Sequence, residues 1–268
     1  MRQIAVWGAS GFIGSALCAA AEARGLAVQR LPRDATAASA LAGVDVAYHC
    51  AGKATQVDSA AYVAMTERFA RACAAAGVRR LVYLSSLAVY GPKRSGVTGT
   101  DSPLDGRGAY AESRIEAERV LQLAFAAGGT RLCIVRAPAV LGRGMPGTVM
   151  RRFARAVGWG VFLHPGPADA TFACLGVRRL AECLLRLGEL SSPPPVIQFC
   201  DQLRWADIAR RAAELRGRRV VRIRLPSLGG KLALLASSAS YADDADRLFG
   251  HDPALPLTTD DLDPAFSS

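Results

Sequence analysis

The chain has 268 residues, of which 51% are hydrophobic and 21% charged, so it can bury a substantial core, and no uninterrupted apolar run of about 18 residues predicts a membrane-spanning helix. The net charge of +10 comes almost entirely from arginines that are dispersed and not interleaved with aromatic residues, which argues against a nucleic-acid groove. Seven scattered cysteines, never at metal-ligand spacing, predict reduced core residues of a cytoplasmic protein without a metal site or membrane attachment.

The first pattern is an apolar run that ends in the segment Gly-Ala-Ser-Gly-Phe-Ile-Gly and continues as an alanine-rich helical pattern. A strand that turns on glycines into a helix leaves backbone N–H groups at the positive end of the helix dipole, which suits a pyrophosphate. Gly8 permits the turn, Gly11 lets phosphates approach, and Gly14 lets the helix pack closely on the strand. We therefore predict a dinucleotide site. Its expected contacts are Gly8, Ser10, Gly11, Phe12, Ile13 and Gly14.

Cofactor choice depends on the end of the second predicted strand. A site that prefers NAD carries a carboxylate there, which binds the ribose 2′-hydroxyl. Here the position is Pro32, followed by Arg33, whose planar guanidinium suits a 2′-phosphate. The sequence therefore favours NADP(H), and Asp34 keeps NAD open as the alternative.

Short β-type runs and helical patterns alternate through the first two thirds of the chain, which predicts a parallel sheet flanked by helices. The predicted strands are Ile4–Gly8, Val28–Leu31, Val46–Cys50, Arg80–Ser85 and Leu132–Arg136. The predicted helices cover residues 12–24, 36–43, 59–76 and 110–127, and then 148–157, 177–187 and 205–216. We expect an α/β fold, a doubly wound parallel sheet over residues 1–140, with a smaller substrate-binding part over residues 141–268 that is intertwined with it.

Two polar motifs follow the central strands, where open α/β sheets bind ligands. One is Ser85-Ser86-Leu87-Ala88-Val89-Tyr90-Gly91, and the other is Tyr110-Ala111-Glu112-Ser113-Arg114. Residues four apart share a helix face, so the phenol of Tyr110 and the guanidinium of Arg114 are expected in one cleft. A fixed positive charge beside a phenol favours phenolate, which makes proton exchange easier near neutral pH.

Together with the glycine loop and residues 45–52 and 136–142, these motifs resemble the extended short-chain dehydrogenase/reductase family, which includes nucleotide-sugar epimerases, dehydratases and 4-ketoreductases. The resemblance covers nearly the whole chain and implies a Rossmann fold with a small C-terminal substrate-binding part. It implies that Tyr110 is the catalytic acid/base, that Ser86 positions the substrate oxygen, and that Arg114 completes the catalytic group. The further cofactor contacts that it implies are Ala51, Gly52, Ser85, Pro138 and Val140. Family analogy also suggests a homodimer.

The chain departs from the family pattern at several positions, among them Arg114, Tyr62, and residues 169–171 and 176–179. Arg114 replaces the usual lysine, which keeps the charge but introduces a bulkier group that essentially never deprotonates. Tyr62 replaces the asparagine usually found before Thr66. His49 is expected in the core, and Glu116 and Glu118 are expected on different, solvated faces of their helix.

Three hypotheses follow. The leading one is an NADP(H)-dependent oxidoreductase that acts on a keto or hydroxy group of a sugar or nucleotide sugar. The alternatives are a nucleotide-sugar epimerase or dehydratase that uses NAD, and a non-catalytic dinucleotide-binding protein, because of Arg114.

Overall fold

The computed structural model describes residues 3–32, 37–52, 58–91, 96–142, 144–145, 159–165, 171–217, 219, 221–225 and 240–241. The chain divides into two compact units. The first comprises Met1–Gly91, Pro103–Ala137 and Leu180–Gln198, and the second comprises Pro92–Ser102, Pro138–Arg179 and Phe199–Ser268. In the part of the chain that the structure describes, no helix is long and apolar enough to cross a membrane.

The first unit is built on a six-stranded sheet, all of whose neighbouring strands run parallel. From edge to edge its strands are β2 (Ala27–Leu31), β1 (Gln3–Trp7), β3 (Val46–His49), β4 (Arg80–Ser86), β6 (Arg131–Ala137) and β10 (Val196–Gln198). The central strands are buried along nearly their whole length because helices cover the sheet, which is why they read as continuous apolar runs. The predicted doubly wound parallel sheet is confirmed, and the short strand β10 was not predicted.

Four helices accompany this sheet, α1 (Phe12–Ala23), α2 (Ser59–Ala75), α3 (Ala109–Phe125) and α4 (Val177–Glu189). Each agrees with its predicted segment to within two residues. The helix predicted over residues 36–43 was wrong, since the described residues there form only the 3-10 turn Ala38–Leu41. A segment of this length forms too few hydrogen bonds to offset the free-energy cost of helix nucleation.

Local polar groups determine where α2 and α3 begin. The Asp58 side chain accepts a hydrogen bond from the Ala61 N–H at 2.8 Å and caps α2. At the start of α3, Glu112 accepts the Gly108 N–H at 3.0 Å. These caps place Tyr62 and Tyr110 in the first turns of their helices.

The second unit holds smaller β structures. One sheet has the order β11 (Asp201–Arg204), β9 (Thr171–Gly176), β7 (Ala139–Leu141), with β11 antiparallel to β9. Two parallel pairs join β8 (Val161–Pro165) to β12 (Val221–Leu225), and β5 (Val97–Thr98) to β13 (Ser240–Tyr241). The helix α5 (Trp205–Arg216) confirms the prediction for residues 205–216, whereas the helix predicted over 148–157 lies outside the described residues.

The core between the sheet and α2 is aromatic around one buried imidazole. His49 is fully buried, with its ring centroid 4.4 Å from that of Trp7 and 5.1 Å from that of Tyr83. Burial, and then the charge of Arg114, hold the pKa of His49 well below its usual value, so the ring is neutral. Its Nε2 hydrogen-bonds Thr66 at 3.0 Å. The prediction of His49 as a core residue is confirmed, and none of the seven cysteines, all of them among the described residues, forms a disulfide; six of them are buried.

Candidate functional site

The glycine loop connects β1 to α1, and the backbone packs closely around Gly8 and Gly14. Gly8 has φ +88°, and a Cβ there would lie 2.7 Å from the Ala51 backbone nitrogen. A Cβ at Gly14 would collide with the Gly8 carbonyl oxygen. Gly11 donates its N–H to the same carbonyl at 2.9 Å and closes the turn.

The helix that follows presents its N-terminus without a side-chain cap. Gly11 is the N-cap residue and supplies no side-chain hydrogen bond, and α1 has no acidic residue in its first turn. Ser10 and Gly11 are exposed, while Phe12 and Ile13 are half-buried. The first-turn N–H groups and the positive end of the helix dipole could therefore hold an anion such as the pyrophosphate of a dinucleotide.

The segment after β3 lies directly beside this loop. The Cys50 N–H donates to the Trp7 carbonyl at 2.8 Å, which brings Ala51 against Gly8. Gly52 is exposed, has φ +119° and lies against the side chain of Arg114. Two of the predicted cofactor contacts, Ala51 and Gly52, thus connect the glycine loop to the helix that carries Tyr110.

The guanidinium of Arg114 is buried where α2, α3 and β4 meet. Its Nη1 donates to the Tyr62 hydroxyl, to the Tyr83 hydroxyl at 3.3 Å and to the Leu84 carbonyl at 3.4 Å. Its Cζ lies over two rings, 4.5 Å from the centroid of Tyr62 and 5.1 Å from that of Tyr110. Arg114 and Tyr110 are therefore brought together as predicted, but the guanidinium contacts the phenol ring and gives its described hydrogen bonds to other groups.

Ser86 and Ser85, at the end of β4, point their hydroxyls to different partners. The half-buried Ser86 accepts the Ala88 N–H at 3.2 Å and caps a 3-10 turn, Leu87–Tyr90. The buried Ser85 instead donates to Glu118 at 2.5 Å. The O–H of Ser85 is therefore engaged with a buried carboxylate, whereas the O–H of Ser86 is not used by its bond to Ala88.

A buried ionic network behind this strand was missed from the sequence. Arg136 donates to both carboxylate oxygens of Glu118, with Nη2 2.8 Å from Oε2, and to the Tyr90 hydroxyl at 2.9 Å. Tyr90 in turn donates to Gln198 at 2.8 Å.

The expectation that Glu118 is solvated was wrong, since the residue is 2% exposed. Only Glu116 lies at the surface, where it pairs with Arg119. The spacing of Tyr110, Arg114 and Glu118 places all three on one helix face, and this signal could have revealed the buried carboxylate.

Two further predicted contacts, Pro138 and Val140, belong to the second unit. Pro138 immediately precedes β7 and Val140 lies within it, and both are half-buried. Arg33 lies outside the described residues. Among the described residues, no group of three or more His, Cys, Asp or Glu side chains could hold a metal ion.

Known structures share this fold over nearly their whole length. The chain superimposes on TunA, described as an NAD dependent NDP-hexosamine 5,6-dehydratase of tunicamycin biosynthesis, with a TM-score of 0.78 and 21% identity, covering 100% of this chain and 97% of that one. The chain also superimposes on the UDP-glucuronic acid 4-epimerase from Bacillus cereus in complex with NAD, with a TM-score of 0.80 and 18% identity, covering 99% of this chain and 96% of that one. For RMD from Pseudomonas aeruginosa complexed with NADPH, the TM-score is 0.74 and the identity 19%, and the match covers 100% of this chain and 98% of that one.

A comparison of the sequence with curated proteins finds no match. The sequence profile of the NAD dependent epimerase/dehydratase family matches residues 4–161, more than half of the chain. This match and the shared fold confirm the resemblance to the extended short-chain dehydrogenases/reductases. The chain belongs to the NAD dependent epimerase/dehydratase family.

Proposed function

We propose that the protein is an NADP(H)-dependent oxidoreductase that acts on a keto or hydroxy group of a sugar or nucleotide sugar. The observation that carries this proposal is a chain of contacts within the first unit. Ala51 packs against the glycine loop at Gly8, and the next residue, Gly52, lies against Arg114. The guanidinium of Arg114 in turn contacts the Tyr110 ring. The named structures of the same fold include complexes with NAD and with NADPH.

In this proposal each residue has one task. The loop around Gly11 and the N-terminus of α1 hold the pyrophosphate, and the bound dinucleotide supplies or accepts a hydride. Tyr110 exchanges a proton with the substrate oxygen. Ser86 accepts the Ala88 N–H, which leaves its own O–H to donate to that oxygen and orient it. Arg114 provides a fixed positive charge next to the Tyr110 ring.

Fluorescence titration with NADPH and NADH tests the choice of cofactor. If Arg33 binds the 2′-phosphate, Arg33→Ala weakens NADPH binding about tenfold or more and leaves NADH binding nearly unchanged. Arg30→Ala is the matched control, because Arg30 lies on β2 and forms an exposed pair with Glu22 at 2.8 Å. Equal, weak binding of both dinucleotides to the unaltered protein would remove the role given to Arg33.

Turnover of a panel of 4-keto nucleotide sugars tests the chemistry. Tyr110→Phe retains the ring that contacts Arg114 but loses the hydroxyl, so kcat is expected to fall on the order of a hundredfold or more with NADPH affinity unchanged. Ser86→Ala is expected to lower kcat less, since the oxygen keeps one partner. Full activity of Tyr110→Phe would overturn its assignment as acid/base. Release of an epimer or an unsaturated product with NAD, without net oxidation or reduction, would favour the epimerase or dehydratase alternative.

A specific observation favours a second candidate, a dinucleotide-binding protein without turnover. The described hydrogen bonds of Arg114 go to Tyr62, Tyr83 and the Leu84 carbonyl, and none of them goes to the Tyr110 hydroxyl. This candidate predicts tight NADPH binding together with no consumption of NADPH by any keto sugar, in the unaltered protein and in Arg114→Lys alike.

The proposal includes a homodimer formed through α2 and α3. The outer faces of these helices form an open groove of about 920 Å³, whose lining includes Val63, Val120 and Leu123, and Leu123 is largely exposed. Sedimentation equilibrium is expected to give twice the chain mass for the unaltered protein and the chain mass for Leu123→Glu. A monomer in both cases would contradict this part of the proposal.

A further inference from the structure

Arg114 is a buried cation whose described partners are all uncharged. The residue is 5% exposed, and no carboxylate among the residues described by the structure forms an ion pair with it. A buried charge is costly unless hydrogen bonds and nearby dipoles compensate it. The position of the guanidinium therefore depends on the few neutral groups that surround it.

Tyr62 provides two of these contacts, one through its hydroxyl and one through its ring. The hydroxyl accepts from Arg114 Nη1, and the ring centroid lies 4.5 Å from Cζ, within the range of a cation–π interaction. Burial raises the pKa of Tyr62 although Arg114 opposes the shift, so the group remains a neutral phenol at physiological pH.

The Tyr62 hydroxyl is itself held in place. It lies 3.0 Å from the Tyr83 hydroxyl, and its helix is fixed by the Asp58 cap. Tyr62 is 4% exposed, so its ring has little freedom to turn away. A fixed acceptor and a fixed ring face together define one position for a planar group.

The other sides of the guanidinium face the candidate site. A Cβ at Gly52 would collide with Nη2, and the Tyr110 ring centroid lies 5.1 Å from Cζ. A guanidinium displaced from Tyr62 would therefore move against Gly52, which is a predicted cofactor contact, or against Tyr110.

We propose that Tyr62 is a positioning residue, which holds the Arg114 guanidinium against the Tyr110 ring through its hydroxyl and its ring face. The effect on turnover rests on the proposed function, whereas the effect on the guanidinium does not. Tyr62 and Arg114, two of the positions at which the chain departs from the family pattern, act as one unit. A lysine at 114 would lack the planar face that stacks on Tyr62, so Arg114→Lys alone is expected to disturb Tyr110 rather than improve it.

Arginine side-chain NMR of the full chain, labelled with ¹⁵N-arginine, tests the position of the guanidinium without any substrate. The Arg114 signals are identified as those that disappear in Arg114→Lys. Tyr62→Phe keeps the ring but removes the acceptor, and rotation about the Nε–Cζ bond of Arg114 is expected to accelerate about tenfold or more. The matched control is Tyr48→Phe, which removes another buried phenol on β3 and is expected to leave this rate within about twofold.

An unchanged Arg114 rotation rate in folded Tyr62→Phe would overturn the proposal. If Tyr62→Phe does not fold, Tyr62→Gln keeps an oxygen acceptor but removes the ring face, so the rotation is again expected to accelerate, and an unchanged rate in that variant overturns the proposal equally.

A kinetic cycle then tests the consequence for turnover. Tyr62→Phe is expected to lower kcat about tenfold in the unaltered background and to have less than about a twofold effect on kcat in the Arg114→Lys background. Equal losses in both backgrounds would show that Tyr62 does not act through Arg114 and overturn the proposal. Absence of turnover in the unaltered protein contradicts the proposed function, and the NMR result still decides the role of Tyr62.

Discussion

Replacement of Glu118 by glutamine is expected to be one of the most destabilising single changes in the chain. Glu118 and Arg136 are 2% and 5% exposed, and the guanidinium donates to both carboxylate oxygens. Two unit charges about 4 Å apart interact by about 4 kcal/mol at an effective dielectric constant of about 20. Loss of one partner of a buried pair typically costs about 3–5 kcal/mol, because the other charge stays buried without compensation. We therefore expect Glu118→Gln to lower the free energy of unfolding by about 3–4 kcal/mol, since Tyr90 still accepts from Arg136.

The assay is urea unfolding followed by circular dichroism, with the midpoint compared at an unchanged slope. Glu22→Gln is the matched control, because Glu22 lies on α1, outside the proposed dimer groove, and its pair with Arg30 is 49% and 48% exposed. That change is expected to cost less than about 1 kcal/mol, and the loss should shrink further in high salt. Equal losses for the two variants would refute the conclusion that burial decides the contribution of each carboxylate.

Two further predictions concern the glycine loop and alkaline pH. Gly14→Ala is expected to destabilise the protein by about 1–3 kcal/mol and to weaken NADPH binding, because its Cβ meets loop backbone, although alanine favours the helix by about 1 kcal/mol. Gly99→Ala is the control, because a Cβ at Gly99 has no neighbouring atom within 4 Å. Equal behaviour of the two variants in thermal unfolding and NADPH titration would contradict the close packing at Gly14. Burial raises the pKa of Tyr48, Tyr62 and Tyr83, so above about pH 10 these phenols ionise in the unfolded chain and stay protonated in the folded one. The free energy of unfolding therefore keeps its full value below about pH 10 and falls above that pH by about 1.4 kcal/mol per pH unit for each phenol. A free energy of unfolding that stays constant between about pH 9 and 11 would contradict this.

Much of the first unit could be predicted because its signals are local. A buried parallel strand reads as a short apolar run, and the helices α2 and α3 are long enough to show their periodicity and their ends. The glycine loop was equally predictable, since Gly8 and Gly14 are required by backbone contacts close in sequence or by a positive φ. The short strands of the second unit, such as β7 and β11, carry too few residues for a periodic pattern to emerge.

The sequence by itself determined the succession of the long strands and helices of the first unit, the glycine loop and the presence of Tyr110 and Arg114 on one helix face. Only the tertiary structure decided that Glu118 is buried while Glu116 is not, and that the Arg114 guanidinium hydrogen-bonds Tyr62, which lies on another helix. The physical reason is that helix periodicity specifies which side chains share a face. Whether that face meets water, an opposite charge or an aromatic ring depends on elements that are distant in the chain.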